Sequence, residues 1–295
     1  MSAMLRALLG QFTERLAAAE VDSPRLSAEV LLAHSLKISR QDLLKKLILE
    51  PDACVAPEIL AKAETSVARR ESGEPVAYIV GAKEFYGRDF AVTPATLIPR
   101  PETELLVEAA LAFSATHSSC HGPLSFLDLG TGSGAIAVTV ALELPSWHGV
   151  AVDISGDALA VAQKNAQTLG VANLDFLLCD FLGPSLPQGP FGMVLSNPPY
   201  VSEDEYSAIS HEVKGFEPRS ALVPKIASAT GLEYLCAILG LAENILVPGG
   251  LLLMEIGYTQ GDALMEQTAA LSAWKDCRVI PDLAGLPRVF QAIRM

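Results

Sequence analysis

Long apolar runs are missing from this sequence. No stretch of its 295 residues approaches the roughly 18 that a membrane span needs. The opening segment, Met1 to Glu20, is interrupted by Arg6, Gln11, Glu14 and Arg15, so it lacks the apolar core of a signal peptide. A soluble, cytoplasmic protein with no membrane partner is expected. Cysteine is sparse too. Cys54, Cys120, Cys179, Cys236 and Cys277 are odd in number, far apart and never paired as CxxC, which argues against a disulfide framework and a zinc ribbon. His34, His117, His121, His148 and His211 show no ligand spacing, so no metal is expected. Positive charge is short: 21 Lys and Arg face 34 Asp and Glu, for a net charge of −13. The first 75 residues carry 10 basic and 11 acidic side chains and the remainder 11 and 23, so the larger part repels bulk nucleic acid.

What is present is a globular composition, half apolar and 19% charged. Leu5, Leu8, Leu9, Phe12 and Leu16 recur at helical spacing, and Ala28, Leu31, Leu32 and Leu36 form a second stripe behind a cap-and-proline signal at Ser23-Pro24. Residues 1–72 therefore predict a small helical bundle with its own core. Residues 73–100 form a connector, in which VAYIV and GRDFAV predict two short strands around Gly81 or Gly87. Residues 101–295 alternate helices with apolar strands, at 125–130, 149–155, 174–180, 193–197 and 251–257. Apolar strands covered by helices on both faces predict an α/β fold with a doubly wound, mainly parallel sheet.

Asp128-Leu129-Gly130-Thr131-Gly132-Ser133-Gly134 ends the first of these strands and opens a helix. Glycines allow a tight turn and a close backbone approach, while helix N–H groups face outward. Asp153 closes the next strand, where a carboxylate can accept from two ribose hydroxyls. Asp180-Phe181 closes the third, offering an acceptor to an adenine amino group and an aromatic face to its ring. Gly130, Gly132 and Ala135 also fit the looser dinucleotide pattern. Asp128, suited to a ligand ammonium, and the G-x-G-x-G run resemble instead the S-adenosylmethionine loop of class I methyltransferases.

Asn197-Pro198-Pro199-Tyr200 follows an apolar strand at the same sheet edge. The two prolines fix backbone angles and remove two donors, leaving rigid carbonyl acceptors. A planar NH2 group could donate one proton to the Asn197 side-chain oxygen and the other to the Pro198 carbonyl. That pairing returns electron density to nitrogen and aims it. Tyr200 offers a flat wall. The tetrapeptide points to amino methylation of adenine, cytosine or glutamine without choosing among them. Arg100, between two prolines, reads as sitting over the active site, as a substrate-carbonyl ligand or as half of a structural ion pair. Glu217-Pro218 reads as part of a loop near the pocket or as purely structural, and Cys179 as an inert buried thiol.

Over nearly its whole length the chain resembles the release-factor glutamine methyltransferase family. The resemblance lies in SPRLSAEVLLAHSL, the connector ending Ile98-Pro99-Arg100-Pro101-Glu102-Thr103-Glu104, DLGTGSGAIA, SNPPY and GFEPRSALV. It implies a seven-stranded methyltransferase sheet and methyl transfer from S-adenosylmethionine, leaving S-adenosylhomocysteine. The acceptor implied is N5 of the glutamine in the Gly-Gly-Gln motif of peptide chain release factors. Matched positions are Gly130 to Gly134 for the cofactor loop, Asp153 for the ribose, Phe181 for the adenine side and Asn197 to Tyr200 for the substrate amide. The helical segment 1–72 is then expected to recognise the release factor. An adenine-N6 nucleic-acid methyltransferase is the alternative, and a binding module with a vestigial cofactor fold is a third reading. The intact Asp128, Asp153 and Asn197 set argues against the last.

Overall fold

In a computed structural model the described residues are 3–50, 52–117, 123–225 and 230–295; Cys120 and His121 lie outside them. The chain folds as two compact units, one comprising Met1–Ala82 with Ser210–Phe216, the other Lys83–Ile209 with Glu217–Met295.

The first unit is helical. A two-residue antiparallel pairing of β1 (Ala3–Met4) with β2 (Cys54–Val55) ties its start to the middle of the segment. Helices α1 (Leu5–Ala18), α2 (Pro24–Leu36), α3 (Arg40–Leu49) and α4 (Pro57–Glu71) bury the expected stripes: Leu5, Leu8, Leu9, Phe12 and Leu16 meet Ala28, Leu31 and Leu32 in one core. Leu36 packs at its margin. Pro24 does open α2, but Ser23 sits in the left-handed region (φ 51°) and its hydroxyl caps nothing. Pro24, which needs no N–H partner, suffices.

VAYIV is a correction. It forms a short helix, α5 (Val76–Val80), not a strand. Pro75 stands before its first turn and Gly81 ends it at φ +74°, and these two boundary residues outweigh the β-branched preference of Val76, Ile79 and Val80. The hairpin lies one step later, β3 (Ala82–Phe85) and β4 (Arg88–Ala91). Its central residues Tyr86 (φ 51°) and Gly87 (φ 73°) both take the positive φ that a two-residue type I′ turn requires.

In the second unit, a 3-10 turn at Pro101–Thr103 leads into α6 (Glu104–Ser114). Then follow β5 (Ser125–Leu129), α7 (Ala135–Glu143), β6 (His148–Asp153), α8 (Gly156–Leu169), β7 (Leu174–Leu178) and β8 (Phe191–Ser196). After two short helices, α9 (Glu203–Ala208) and α10 (His211–Phe216, which belongs to the first unit), come α11 (Glu233–Ile245) and β9 (Leu246–Glu255). The chain ends with α12 (Gly261–Ala269), β10 (Trp274–Pro281) and β11 (Pro287–Arg294). Seven strands form one sheet in the order β10-β11-β9-β8-β5-β6-β7. The five from β9 to β7 run parallel, and β11 is antiparallel to both of its neighbours.

Period-two alternation sorts the strand residues onto two cores. Phe126, Met193, Leu195, Leu251 and Leu253 pack with α6 and α7, while Leu127, Leu129, Val194, Leu252 and Met254 pack with α11. One expectation needs correcting here: β7, at the sheet edge, is not covered on both faces, and Leu178 is 61% exposed. The parity of the first core continues to Asp128, Asn197 and Glu255, so these three polar positions fall on the α6–α7 side at the strand ends.

Candidate functional site

Strand ends and loops of the second unit enclose a cavity of about 270 Å³. The loop after β5 forms one wall. Gly130 and Thr131 donate their N–H groups to the Val152 carbonyl at 2.9 and 3.0 Å, docking the loop on β6. Gly130 (φ +74°) and Gly132 (φ +57°) have no atom within 4 Å of where a Cβ would stand, so their backbone is open to an approaching ligand. The loop is held from behind by Asn165, buried on α8, whose amide donates to the carbonyls of Ser133 (2.8 Å) and Ala91 (3.0 Å).

At the end of β6, Asp153 accepts from the Gly132 N–H and the Ser155 N–H, both at 2.9 Å, one on each oxygen. Each carboxylate oxygen retains acceptor capacity for a ligand hydroxyl. Asp180 accepts from the Leu182 N–H at 2.9 Å and lines the cavity with Phe181. The Phe181 ring stands edge-on to Tyr234, centroids 5.4 Å apart. Tyr234 and the half-exposed Ile154 complete this apolar end; neither stood out in the sequence, because Tyr234 arrives from α11, far along the chain.

Asp128 lies behind the loop and is not among the lining residues. It is fully buried, with neither oxygen in a well-formed hydrogen bond. Burial pushes its carboxyl up to about 7, the nearby Asp153 charge adds to this, and the Thr131 hydroxyl and Ala137 N–H offset only part. Such a group fits a cationic ligand atom, which would relieve it.

Asn197 and Pro199 line the opposite wall; Pro198, Tyr200 and Gly134 are not among the lining residues. The Asn197 amide donates to Thr103 Oγ1 at 3.3 Å, and Thr103 donates onward to buried Glu255 at 2.6 Å. The Tyr200 hydroxyl donates to the other Glu255 oxygen at 3.0 Å, and the Tyr200 carbonyl accepts from Gln260 at 2.8 Å. Ser196, just before the tetrapeptide, donates to the Leu129 carbonyl at 2.8 Å, joining the two loops at their roots. The tetrapeptide is thus fixed at both ends by side chains as well as by its prolines.

Arg100 lines the cavity and forms an ion pair with Glu217. Glu217 is buried and accepts from the Ile98 N–H at 3.1 Å, which ties the connector to the loop after α10. Cys179 is buried, and burial raises its thiol pKa, as an inert thiol requires. Among the described residues no three His, Cys, Asp or Glu side chains converge as a metal site, and no helix is long and apolar enough to cross a membrane.

Residues 7–81 match the PrmC N-terminal domain and residues 121–280 a methyltransferase domain. The release factor glutamine methyltransferase of Nitratidesulfovibrio vulgaris is 49% identical over 294 residues, covering 99% of this chain and 96% of that one. Its counterpart in Koribacter versatilis is 42% identical, covering 94% and 93%. That of Escherichia coli is 38% identical, covering 91% of each. With full-length likeness on both sides and the loop and tetrapeptide on one sheet edge, the chain belongs to the release factor glutamine methyltransferase family.

Proposed function

We propose that this protein methylates N5 of the glutamine in the Gly-Gly-Gln motif of peptide chain release factors, with S-adenosylmethionine as donor. The names of its full-length relatives support the substrate. The donor fits the cavity: open glycine backbone, a hydroxyl-accepting Asp153, an aromatic Phe181–Tyr234 corner, and an unsatisfied buried Asp128 beneath the loop. When bound, S-adenosylmethionine supplies an electrophilic methyl group and leaves as S-adenosylhomocysteine.

The observation that carries the reading is the state of the Asn197 amide. One N–H of its NH2 donates to Thr103, which fixes the amide's orientation and leaves its oxygen as an acceptor for a ligand. An incoming carboxamide NH2 needs acceptors. Asn197 Oδ1 and the Pro198 carbonyl take its two protons, localise the nitrogen lone pair and orient it. Pro198 and Pro199 bring no N–H of their own to compete. No strong base is needed, because the methylated nitrogen sheds its proton readily.

The helical unit then serves selection of the protein substrate, since a pocket that reads one glutamine side chain cannot distinguish it from others in the proteome. A cytoplasmic setting and the absence of a direct nucleic-acid partner go with this reading, and the strongly acidic second unit supports the latter. Asn197→Ala tests the assignment. Loss of an oriented polar group of this kind costs about 2.7–4 kcal/mol in the transition state. Transfer to release factor should fall by about 100-fold or more while calorimetric cofactor affinity persists. Near-normal turnover would remove Asn197 from its role.

A further inference from the structure

Glu255 is a deeply buried carboxylate outside the cofactor loop, 2% exposed at the end of β9. Methyl transfer as described gives it no direct part, because it does not line the cavity. Burying a carboxylate is costly unless it is hydrogen-bonded. Its two oxygens accept from two hydroxyls: Oε2 from Thr103 at 2.6 Å, Oε1 from Tyr200 at 3.0 Å. These hydroxyls come from segments 152 and 55 residues away in sequence.

From this arrangement we infer that Glu255 is a positioning residue, which through Thr103 sets the direction in which the Asn197 amide faces. An ionised carboxylate can only accept, so it draws the Thr103 proton to itself. Thr103 Oγ1 is then left as an acceptor, and the only Asn197 group that can satisfy it is the NH2. The amide oxygen is turned the other way. A neutral partner in place of Glu255 would remove that bias, because Thr103 could then donate to the Asn197 oxygen and reverse the amide. Burial pushes the Glu255 carboxyl up, with the Glu102 charge adding to it, while the Thr103 and Tyr200 hydroxyls and the Arg288 charge act the other way; its acceptor role rests on the two hydroxyls that donate to it. On the second branch, the Tyr200 hydroxyl spends its proton on the same carboxylate, which fixes the far end of the tetrapeptide. One buried carboxylate thus orders both ends of Asn197–Tyr200.

The inference rests on the proposed glutamine reading, and its test separates the two. Thr103→Val keeps the side-chain volume and deletes the relay; Thr103→Ser keeps the hydroxyl; Glu255→Gln keeps the shape and removes the acceptor-only character. Loss of one neutral positioning hydrogen bond corresponds to about a tenfold effect. With release factor as substrate, kcat should fall about tenfold or more in Thr103→Val and Glu255→Gln. KM and cofactor affinity should stay within about twofold, and Thr103→Ser should recover most of the rate. Hydrogen exchange of the Asn197 side-chain amide, followed by NMR in asparagine-labelled protein without substrate, should quicken in Thr103→Val and not in Thr103→Ser. Unchanged kcat in Thr103→Val or Glu255→Gln, or equal losses in Val and Ser, would overturn the relay. If the unaltered protein transfers nothing to release factor, the glutamine reading fails, and amide exchange still decides the relay: slow in the native protein and faster in Thr103→Val upholds it, no difference refutes it.

Discussion

Asp128 is a buried carboxylate beneath the glycine loop that opposes stability at neutral pH. Its carboxyl, ordinarily near 3.8, is raised to about 7 by burial. A folded-state value above the unfolded one means the native protein holds the extra proton between these limits. The stabilising contribution is therefore full below about pH 4 and lost as pH rises through about 7. The difference amounts to about 4 kcal/mol. Asp128→Asn, neutral throughout, should raise the melting temperature at about pH 8 and leave it nearly unchanged at about pH 4, while weakening cofactor binding. A melting temperature that falls at both pH values would mean the carboxylate is structural. Asp128, Asp153, Asp180 and Asn197 were legible in the sequence, because each closes an apolar strand and parallel strands deliver their ends to one edge. Thr103, Glu255, Tyr234 and Asn165 were not. Their partners lie tens to more than a hundred residues away, and no local period encodes such a pairing.

At the scale of elements, the tetrapeptide depends on a glycine outside every motif. Gly231, at φ +88° just before α11, would place a Cβ 2.2 Å from the Tyr200 carbonyl oxygen and 2.6 Å from the Gln260 amide nitrogen. Gly231→Ala should displace Tyr200, break the Gln260 bond and cost about 1–3 kcal/mol of stability. Methyl transfer should fall more than cofactor affinity, measured in the same preparation; equal losses would indicate a general fold defect. The helical unit holds a comparable dependence. Arg70, 4% exposed on α4, donates to Glu212 of α10 at 2.7 Å, so a piece of chain inserted after the tetrapeptide is folded against helices from the opposite end of the sequence. Glu212→Ala would strand a buried guanidinium, at a cost of about 1–3 kcal/mol in chemical denaturation. An unchanged midpoint would show that the pair contributes nothing. Stripes made α1 and α2 readable. Membership of α10 was unreadable because six residues carry too little periodicity, and VAYIV misled because its flanking Pro75 and Gly81 decide more than its side chains.

Across the whole molecule, the near-neutral first 75 residues contrast with the strongly acidic remainder, and the proposed function assigns selectivity for the protein substrate to the former. Ile48 and Leu49, at the end of α3, are 76% and 78% exposed, beside a recess lined in part by Arg6 and Arg25. Ile48→Asp with Leu49→Asp should lower kcat/KM on intact release factor about tenfold, and leave a short Gly-Gly-Gln peptide unaffected. Equal effects on both substrates would deny this face a part in recognition. The central claim, that the acceptor is a glutamine amide, is tested most directly by incubating the protein with S-adenosylmethionine and a release factor, then mapping the product by tandem mass spectrometry. The predicted result is one added methyl on the glutamine of the Gly-Gly-Gln motif, absent with Asn197→Ala. Methyl transfer to adenine in DNA or RNA, with the release factor unmodified, would contradict it.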